Sequence, residues 1–186
     1  MSRVLFIRHA ETEMAGRYCG HSDPDLNAQG RAQLTRLAQT LAEEMLDTVY
    51  SSDLRRAAST AQAIAAGRNV PQVLRPALRE IHFGDWEGMS WEQIERLDPE
   101  YAQKWVNSFP NLPAPSGESF EDFEHRVLTE VNHLMDRSGG PIAVVTHAGV
   151  LRVVLRHLCG YSEPRAWQET QQYCCVVRYE GQGESK

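Results

Sequence analysis

Two histidines share one setting. His9 follows the apolar run 3–7 and His147 follows the apolar run 142–146, and each precedes an alanine, Ala10 and Ala148. A neutral imidazole is a nucleophile, and its other ring nitrogen is a hydrogen-bond donor. Arg8 stands directly before His9, and Thr12 follows with a hydroxyl that can donate. A guanidinium grips phosphate or carboxylate through two parallel hydrogen bonds. Gly149 opens a helix after His147, and the first N–H groups of a helix have no intrahelical partner and suit an anion. These residues together point to a phosphate or carboxylate site.

The surrounding pattern must place them. Residues 3–7 and 142–146 read as short buried strands of a parallel sheet. Further strands are expected at 48–51, 73–75 and 175–179. Asn27 caps a helix expected to reach Met45 along Leu34, Leu37 and Leu41. Other helices are expected at 57–66, from Ser90 with Gln93 in a capping box, from Ser119 along Phe120, Phe123, Val127, Val131 and Leu134, and at 150–158 up to Gly160. Loops are expected at 83–88 and 110–117, and a frayed tail at 180–186. Strands alternating with helices imply an α/β three-layer sandwich, a mostly parallel central sheet with helices on both faces. In such sheets ligands bind beyond the carboxyl ends of the strands. If the two histidine-bearing strands are neighbours, both imidazoles enter one crevice.

The chain has 186 residues, which suits a single domain spanning 1–186. Its 19 basic and 25 acidic residues leave a net charge of -6. That argues against nonspecific nucleic-acid or acidic-membrane binding, but allows a locally basic pocket for a small anion. No apolar run approaches a membrane span or a signal peptide. Cys19, Cys159, Cys174 and Cys175 show no metal-binding or disulfide spacing, and the adjacent pair reads as packing residues of a strand. A reducing, cytoplasmic location is the expectation. No metal site is expected, since no clustered Cys/His pattern occurs.

Four ordered motifs carry a family resemblance. Arg8-His9-Ala10-Glu11-Thr12 resembles the R-H-G-E-T signature of the histidine phosphatase superfamily, the phosphoglycerate-mutase-like proteins. The run Ser51-Ser52-Asp53-Leu54-Arg55-Arg56-Ala57 with Thr60-Ala61 resembles the second motif. Glu80 followed by Phe83-Gly84-Asp85-Trp86-Glu87-Gly88 resembles the third, and Thr146-His147-Ala148-Gly149-Val150 the fourth. The resemblance implies that His9 attacks phosphorus to form a phosphohistidine. Arg8, Arg56 and His147 would hold the phosphoryl oxygens, work that fixed donors perform without a metal or cofactor. Glu80 would protonate the leaving alkoxide and then accept a proton from water. Many relatives carry asparagine six residues after the nucleophile, where this chain has Ala15. Thr12, or the backbone at Cys19-Gly20, would make up that contact, beside the small Ala148.

The remaining candidates have plainer readings. His125, His133 and His157 are expected on helix surfaces, and His21 and His82 near the rim of the site. Arg55 is expected to point away, Glu11 and Glu13 to be structural, and Trp86, Trp91, Trp105 and Trp167 to be packing anchors, with Trp105 in a segment over the pocket. Mutases resemble longer chains with an insertion after the third motif that excludes water. The short 89–118 segment therefore favours a phosphatase with a small cap over a mutase. The wording of motif three, Trp105 and Pro115-Ser116-Gly117-Glu118-Ser119 resembles the α-ribazole-phosphatase branch, which removes a 5′-phosphate from a ribazole nucleoside. The alternatives are a phosphoglycerate mutase and an inactive protein that binds a phosphorylated ligand. The expected partner is a small phosphorylated substrate, and relatives in the family often form homodimers.

Overall fold

The structure, a computed structural model, describes residues 3–181 of the chain. Five strands form one sheet: β1 (Arg3–Arg8), β2 (Thr48–Ser51), β3 (Gln72–Leu74), β4 (Ile142–Thr146) and β5 (Val176–Glu180), in the order β3-β2-β4-β1-β5. The first four run parallel, and β5 lies antiparallel on β1. The expected frayed tail therefore begins inside a strand at Glu180, and its residues 182–186 lie outside the described residues.

The alternation of side chains along β1 and β4 builds two cores. Val4, Phe6, Ile142 and Val144 face one side, where they meet α5 (Phe120–Arg137) and α6 (Ala148–Cys159). Leu5, Ile7, Ala143 and Val145 face the other, against α1 (Ala28–Thr40) and α2 (Arg55–Ala66). Strands buried on both faces need apolar residues at every position, which is why β1 and β4 are continuous apolar runs. The three expected layers follow from this period of two.

The predicted caps form. Asn27 accepts from Gly30 N–H at 2.7 Å, Ser119 accepts from Asp122 N–H at 3.1 Å, and Ser90 and Gln93 close a capping box. Gly160 ends α6 with φ 66°, a left-handed turn that glycine adopts without strain. The first helix is shorter than expected. It stops at Thr40, and Leu46 rather than Met45 turns into the core, because the chain must bend there to enter β2. The helix at Ser90 is two helices, α3 (Trp91–Leu97) and α4 (Pro99–Ser108). Asp98 ends the first and accepts from Tyr101 N–H in the second, with Pro99 at the first helical position. A seventh helix, α7 (Glu163–Glu169), was not expected.

Helices α3 and α4 pack on a third cluster of Trp86, Ile94, Ala102 and Ala114, edged by Tyr18, Trp91 and Trp105. Cys174 and Cys175 precede β5 rather than lie in it, and pack into opposite cores. Burial pushes the Cys174 thiol up to about 12, so it stays protonated as a packing group. Among the described residues no helix is long and apolar enough to cross a membrane.

Candidate active site

β1 and β4 are parallel neighbours, with Arg8 paired opposite Thr146. The next residue of each strand is a histidine, so register alone sets His9 beside His147, with ring centroids 5.0 Å apart. His9 N–H donates to Thr146 O at 2.9 Å, which extends the ladder to His9 itself. His9 Nδ1 lies 2.7 Å from Ala10 O. A carbonyl only accepts, so Nδ1 carries the proton and Nε2 keeps its lone pair. His147 is the opposite tautomer. Arg56 Nε donates to its Nδ1 at 3.2 Å, which leaves the proton on Nε2. One imidazole thus offers a lone pair at Nε2 and the other a proton.

Burial, then the positive charge of Arg56, lowers the pKa of both histidines well below the ordinary value, and Arg8 lowers each further. Both rings therefore remain neutral in acid that would protonate a free histidine. This has a consequence for stability. In the unfolded chain the two histidines take up protons as pH falls through about 6.5, while the folded protein does not. The unfolded state then binds more protons, so stability falls with pH below about 6.5 and is unaffected above it. Each histidine contributes a slope of up to about 1.4 kcal/mol per pH unit. Urea midpoints measured between pH 7.5 and 5 are expected to fall, less steeply in His9→Asn. Identical slopes in the two proteins would refute the assignment.

Arg56, 1% exposed, is the largest buried side chain. Beyond His147, Nη1 donates to Ser22 O at 2.6 Å and Nη2 to Gly20 O at 2.7 Å and Cys19 O at 3.2 Å. The 19–22 loop that supplies these carbonyls is held by Glu87. Its carboxylate accepts from the N–H groups of Gly20, His21, Ser22 and Phe83 and from Ser22 Oγ. Burial opposes that charge, but the bonds from Ser22 and the backbone outweigh it and hold the Glu87 carboxyl below its usual range. Thr60 ties α2 to the turn after His9: its hydroxyl accepts from Ala10 N–H at 3.0 Å and donates to Arg56 O at 2.7 Å.

Glu80 is 8% exposed. Its Oε2 accepts from Gly149 N–H at 2.9 Å and its Oε1 from Ile81 N–H at 3.0 Å. The carboxyl group therefore sits on the first turn of α6, held through both oxygens by backbone N–H groups. A Cβ at position 149 would lie 2.2 Å from Glu80 Oε1, so only glycine lets Glu80 come this close. Behind it, Arg126 donates to the backbone carbonyls of Ala77, Arg79 and Glu80 and to Glu118.

Arg8 is cradled by the segment before β5. Nη1 donates to Thr170 O at 2.9 Å and to Gln171 O, and the guanidinium lies 3.9 Å from the ring centre of Tyr173, itself 5.7 Å from His9. Arg8 Nε and His147 Nε2 are the buried side-chain polar atoms without a partner among the described residues. A buried donor left unpaired costs roughly 1–3 kcal/mol. Two at one strand edge, beside an uncommitted His9 Nε2, suit an oxyanion that accepts from both.

A cavity of about 480 Å³ opens over them. Arg8, His9, Thr12, Glu80 and Ala148 line it, while Arg56 and His147 stand buried behind that wall. Thr12 is 3% exposed, and its hydroxyl accepts from Met14 N–H at 3.3 Å. Gly20 lies off the wall, its N–H given to Glu87 and its carbonyl to Arg56, so it acts on the site through Arg56. Ala15 is exposed and also off the wall.

Trp91, Trp105, Phe109, Phe120 and Tyr18 give the cavity an aromatic lining, and Arg152, Trp167 and Tyr173 complete its wall. Of the four tryptophans only Trp86 is a buried anchor; Trp91, Trp105 and Trp167 are cavity wall. Arg55 points outward to Asp23 and Asp25, and His125, His133 and His157 are exposed, as their helix positions implied. His21 and His82 pair 4.8 Å apart beside Glu80, with His21 Nε2 3.1 Å from Glu80 O. Sequence reasoning missed Glu87, Arg126, Thr170 and Tyr173; the Glu87 position in motif three was the one signal present.

Comparison with known proteins agrees with this geometry. Residues 4–186 match the model of the histidine phosphatase superfamily, branch 1. The chain is 33% identical over 168 residues to the adenosylcobalamin/alpha-ribazole phosphatase of Salmonella typhimurium, covering 89% of this chain and 83% of that protein. It is 34% identical over 170 residues to phosphoserine phosphatase 1 of Hydrogenobacter thermophilus, covering 90% and 81%. The crystal structure of the alpha-ribazole phosphatase from Shigella flexneri superposes with a TM-score of 0.86 at 31% identity, over 95% of this chain and 89% of that one. With its motifs, sheet and paired histidines in place, the chain belongs to branch 1 of the histidine phosphatase superfamily.

Proposed function

We propose that this phosphatase hydrolyses the phosphomonoester of a small metabolite through a phosphohistidine at His9. The observation that carries it is the tautomer pair: His9 Nε2 has a free lone pair, beside the buried unpaired donors of His147 and Arg8. In the first step Nε2 attacks phosphorus, a P–N bond forms and the P–O ester bond breaks. Glu80 gives its proton to the leaving oxygen. In the second step the Glu80 carboxylate takes a proton from water, whose oxygen attacks phosphorus. The P–N bond breaks, its electron pair returns to Nε2, and inorganic phosphate departs. Arg8, Arg56 and His147 stabilise the equatorial charge in both steps, Arg56 chiefly by orienting His147.

α-Ribazole 5′-phosphate is a candidate substrate. Two supports are the names of the relatives and the aromatic lining, which suits a leaving group that carries a ring. A panel of phosphomonoesters that includes it, compared by kcat/KM in the presence of a chelator, tests the proposal. Turnover of para-nitrophenyl phosphate is expected without metal, together with an alkali-stable, acid-labile protein-bound phosphate after rapid quench. With 3-phosphoglycerate the expected product is free phosphate. No turnover across the panel by folded protein, or conversion to 2-phosphoglycerate, would overturn it.

A further inference from the structure

Helix α6 is a ruler along the cavity. His147 caps its N-terminus and Gly149 N–H holds Glu80, while Ala148, Gly149, Arg152 and Arg156 all line the cavity. Given the proposed chemistry, the phosphoryl group sits at His147 and the leaving oxygen at Glu80. Arg152 stands three residues beyond Gly149, about 4.5 Å further along the axis and on the same face. Whatever the leaving alcohol carries next to its ester oxygen therefore meets Arg152.

That guanidinium is fixed and uncommitted. It stacks on Trp167 at 3.6 Å from the ring centre, and Nε donates to Thr170 Oγ1 at 3.1 Å. Thr170 is fully buried and bonded back to Ala166 O at 2.9 Å, so the anchor is rigid. Neither Nη of Arg152 has a partner among the described residues, and no carboxylate pairs with it. Several other arginines differ. Arg156 pairs with Glu163 at 3.0 Å, Arg126 with Glu118 at 2.6 Å, Arg79 with Asp53 at 2.5 Å and Arg75 with Glu130 at 2.5 Å. Burial lowers the pKa of Arg152 and outweighs the opposing charges of Glu80 and Glu163, neither of which forms an ion pair with it. A planar fork of free N–H groups aimed from a stacked guanidinium is the form that reads a carboxylate.

Resting on the phosphatase reading above, but not on α-ribazole 5′-phosphate as the substrate, whose leaving alcohol has no carboxylate, we infer that Arg152 is a specificity residue that selects phosphomonoesters whose leaving alcohol carries a carboxylate close to the ester oxygen. The probes are matched pairs. O-Phosphoserine and O-phosphoethanolamine differ only in the carboxylate, and 3-phosphoglycerate and glycerol 1-phosphate differ in a carboxylate against a hydroxymethyl group. The wild-type protein is expected to prefer the carboxylated member of each pair by about 10- to 100-fold in kcat/KM, the range of one charge-assisted hydrogen bond. The preference should lie mainly in KM. Arg152→Met, which keeps an apolar stem over Trp167, should bring the ratio towards one. Arg152→Lys, which keeps charge but not the fork, should give an intermediate ratio.

A wild-type ratio near one overturns the inference without any variant. So does a ratio that survives undiminished in folded Arg152→Met, or in folded Arg152→Lys. Para-nitrophenyl phosphate separates the two claims: turnover of it with no carboxylate preference refutes the role of Arg152 alone, and no turnover on it or on the esters refutes the phosphatase reading beneath it.

Discussion

Replacing His9 with alanine is expected to lower kcat by on the order of 10⁴-fold or more on every ester, since removing a nucleophile removes both chemical steps. The fold should survive. His9 contributes one side-chain bond, to the carbonyl of its own neighbour, and the β1–β4 ladder is made by backbone. Inorganic phosphate should still bind, because the buried ring is neutral and lends the anion no charge, while Arg8 and His147 keep their unpaired donors. Circular dichroism, calorimetric titration with phosphate and a turnover assay read the three outcomes separately. Full activity in His9→Ala would remove the nucleophile assignment; lost phosphate binding in a folded variant would mean the ring also carries the anion.

Glu80→Gln should produce the second-largest effect and a selective one. For alkyl phosphates kcat should fall about 10²- to 10⁴-fold, the usual worth of a positioned acid or base. Para-nitrophenyl phosphate has a leaving group that departs without a proton, so its first step should be nearly spared. Its second step still needs a base for water. The phosphoenzyme should therefore accumulate, seen as a burst of nitrophenol stoichiometric with protein. Gly149→Ala should reproduce this selectivity, because its Cβ would lie 2.2 Å from Glu80 Oε1 and force the carboxyl away. Equal losses on both kinds of ester, with no burst, would show that Glu80 only supports the structure.

The sites of these two predictions differ in how far they could be read from the chain. His9 and His147 were legible because each ends a continuous apolar run, and such a run has few alternatives to a buried parallel strand. The same local logic placed the caps at Asn27, Ser90 and Ser119, where a side chain bonds the backbone three residues away. It failed at Met45, where a helical spacing continues beyond the point at which the chain must turn into β2. It also missed α4 and α7, short helices that pack on the third cluster and beside the cavity rather than on the main sheet core.

The supporting residues were not legible for another reason. Glu87 reaches loop 19–22 from 65 to 67 residues away, and Gly149 reaches Glu80 from 69. Thr170 and Gln171 cradle Arg8 from more than 160. No local period encodes such pairs, since they exist only once the sheet order has been chosen. The antiparallel β5 makes that choice visible, because it brings the 170–175 segment back over β1.

By itself the sequence determined the chemistry on offer: two histidines at strand ends, arginines to meet an oxyanion, a carboxyl group for the proton, and three layers to carry them. Tertiary structure decided the protonation pattern and the direction of approach. Which nitrogen of His9 is free depends on the turn at Ala10, and which nitrogen of His147 donates depends on Arg56 from another helix. Arg152 becomes a reader of the leaving group only because α6 sets it one turn past Glu80, with Trp167 and Thr170 holding it still. Residue identity supplies donors and acceptors, but only packing removes their competing partners and water, and that removal is what gives each one a role.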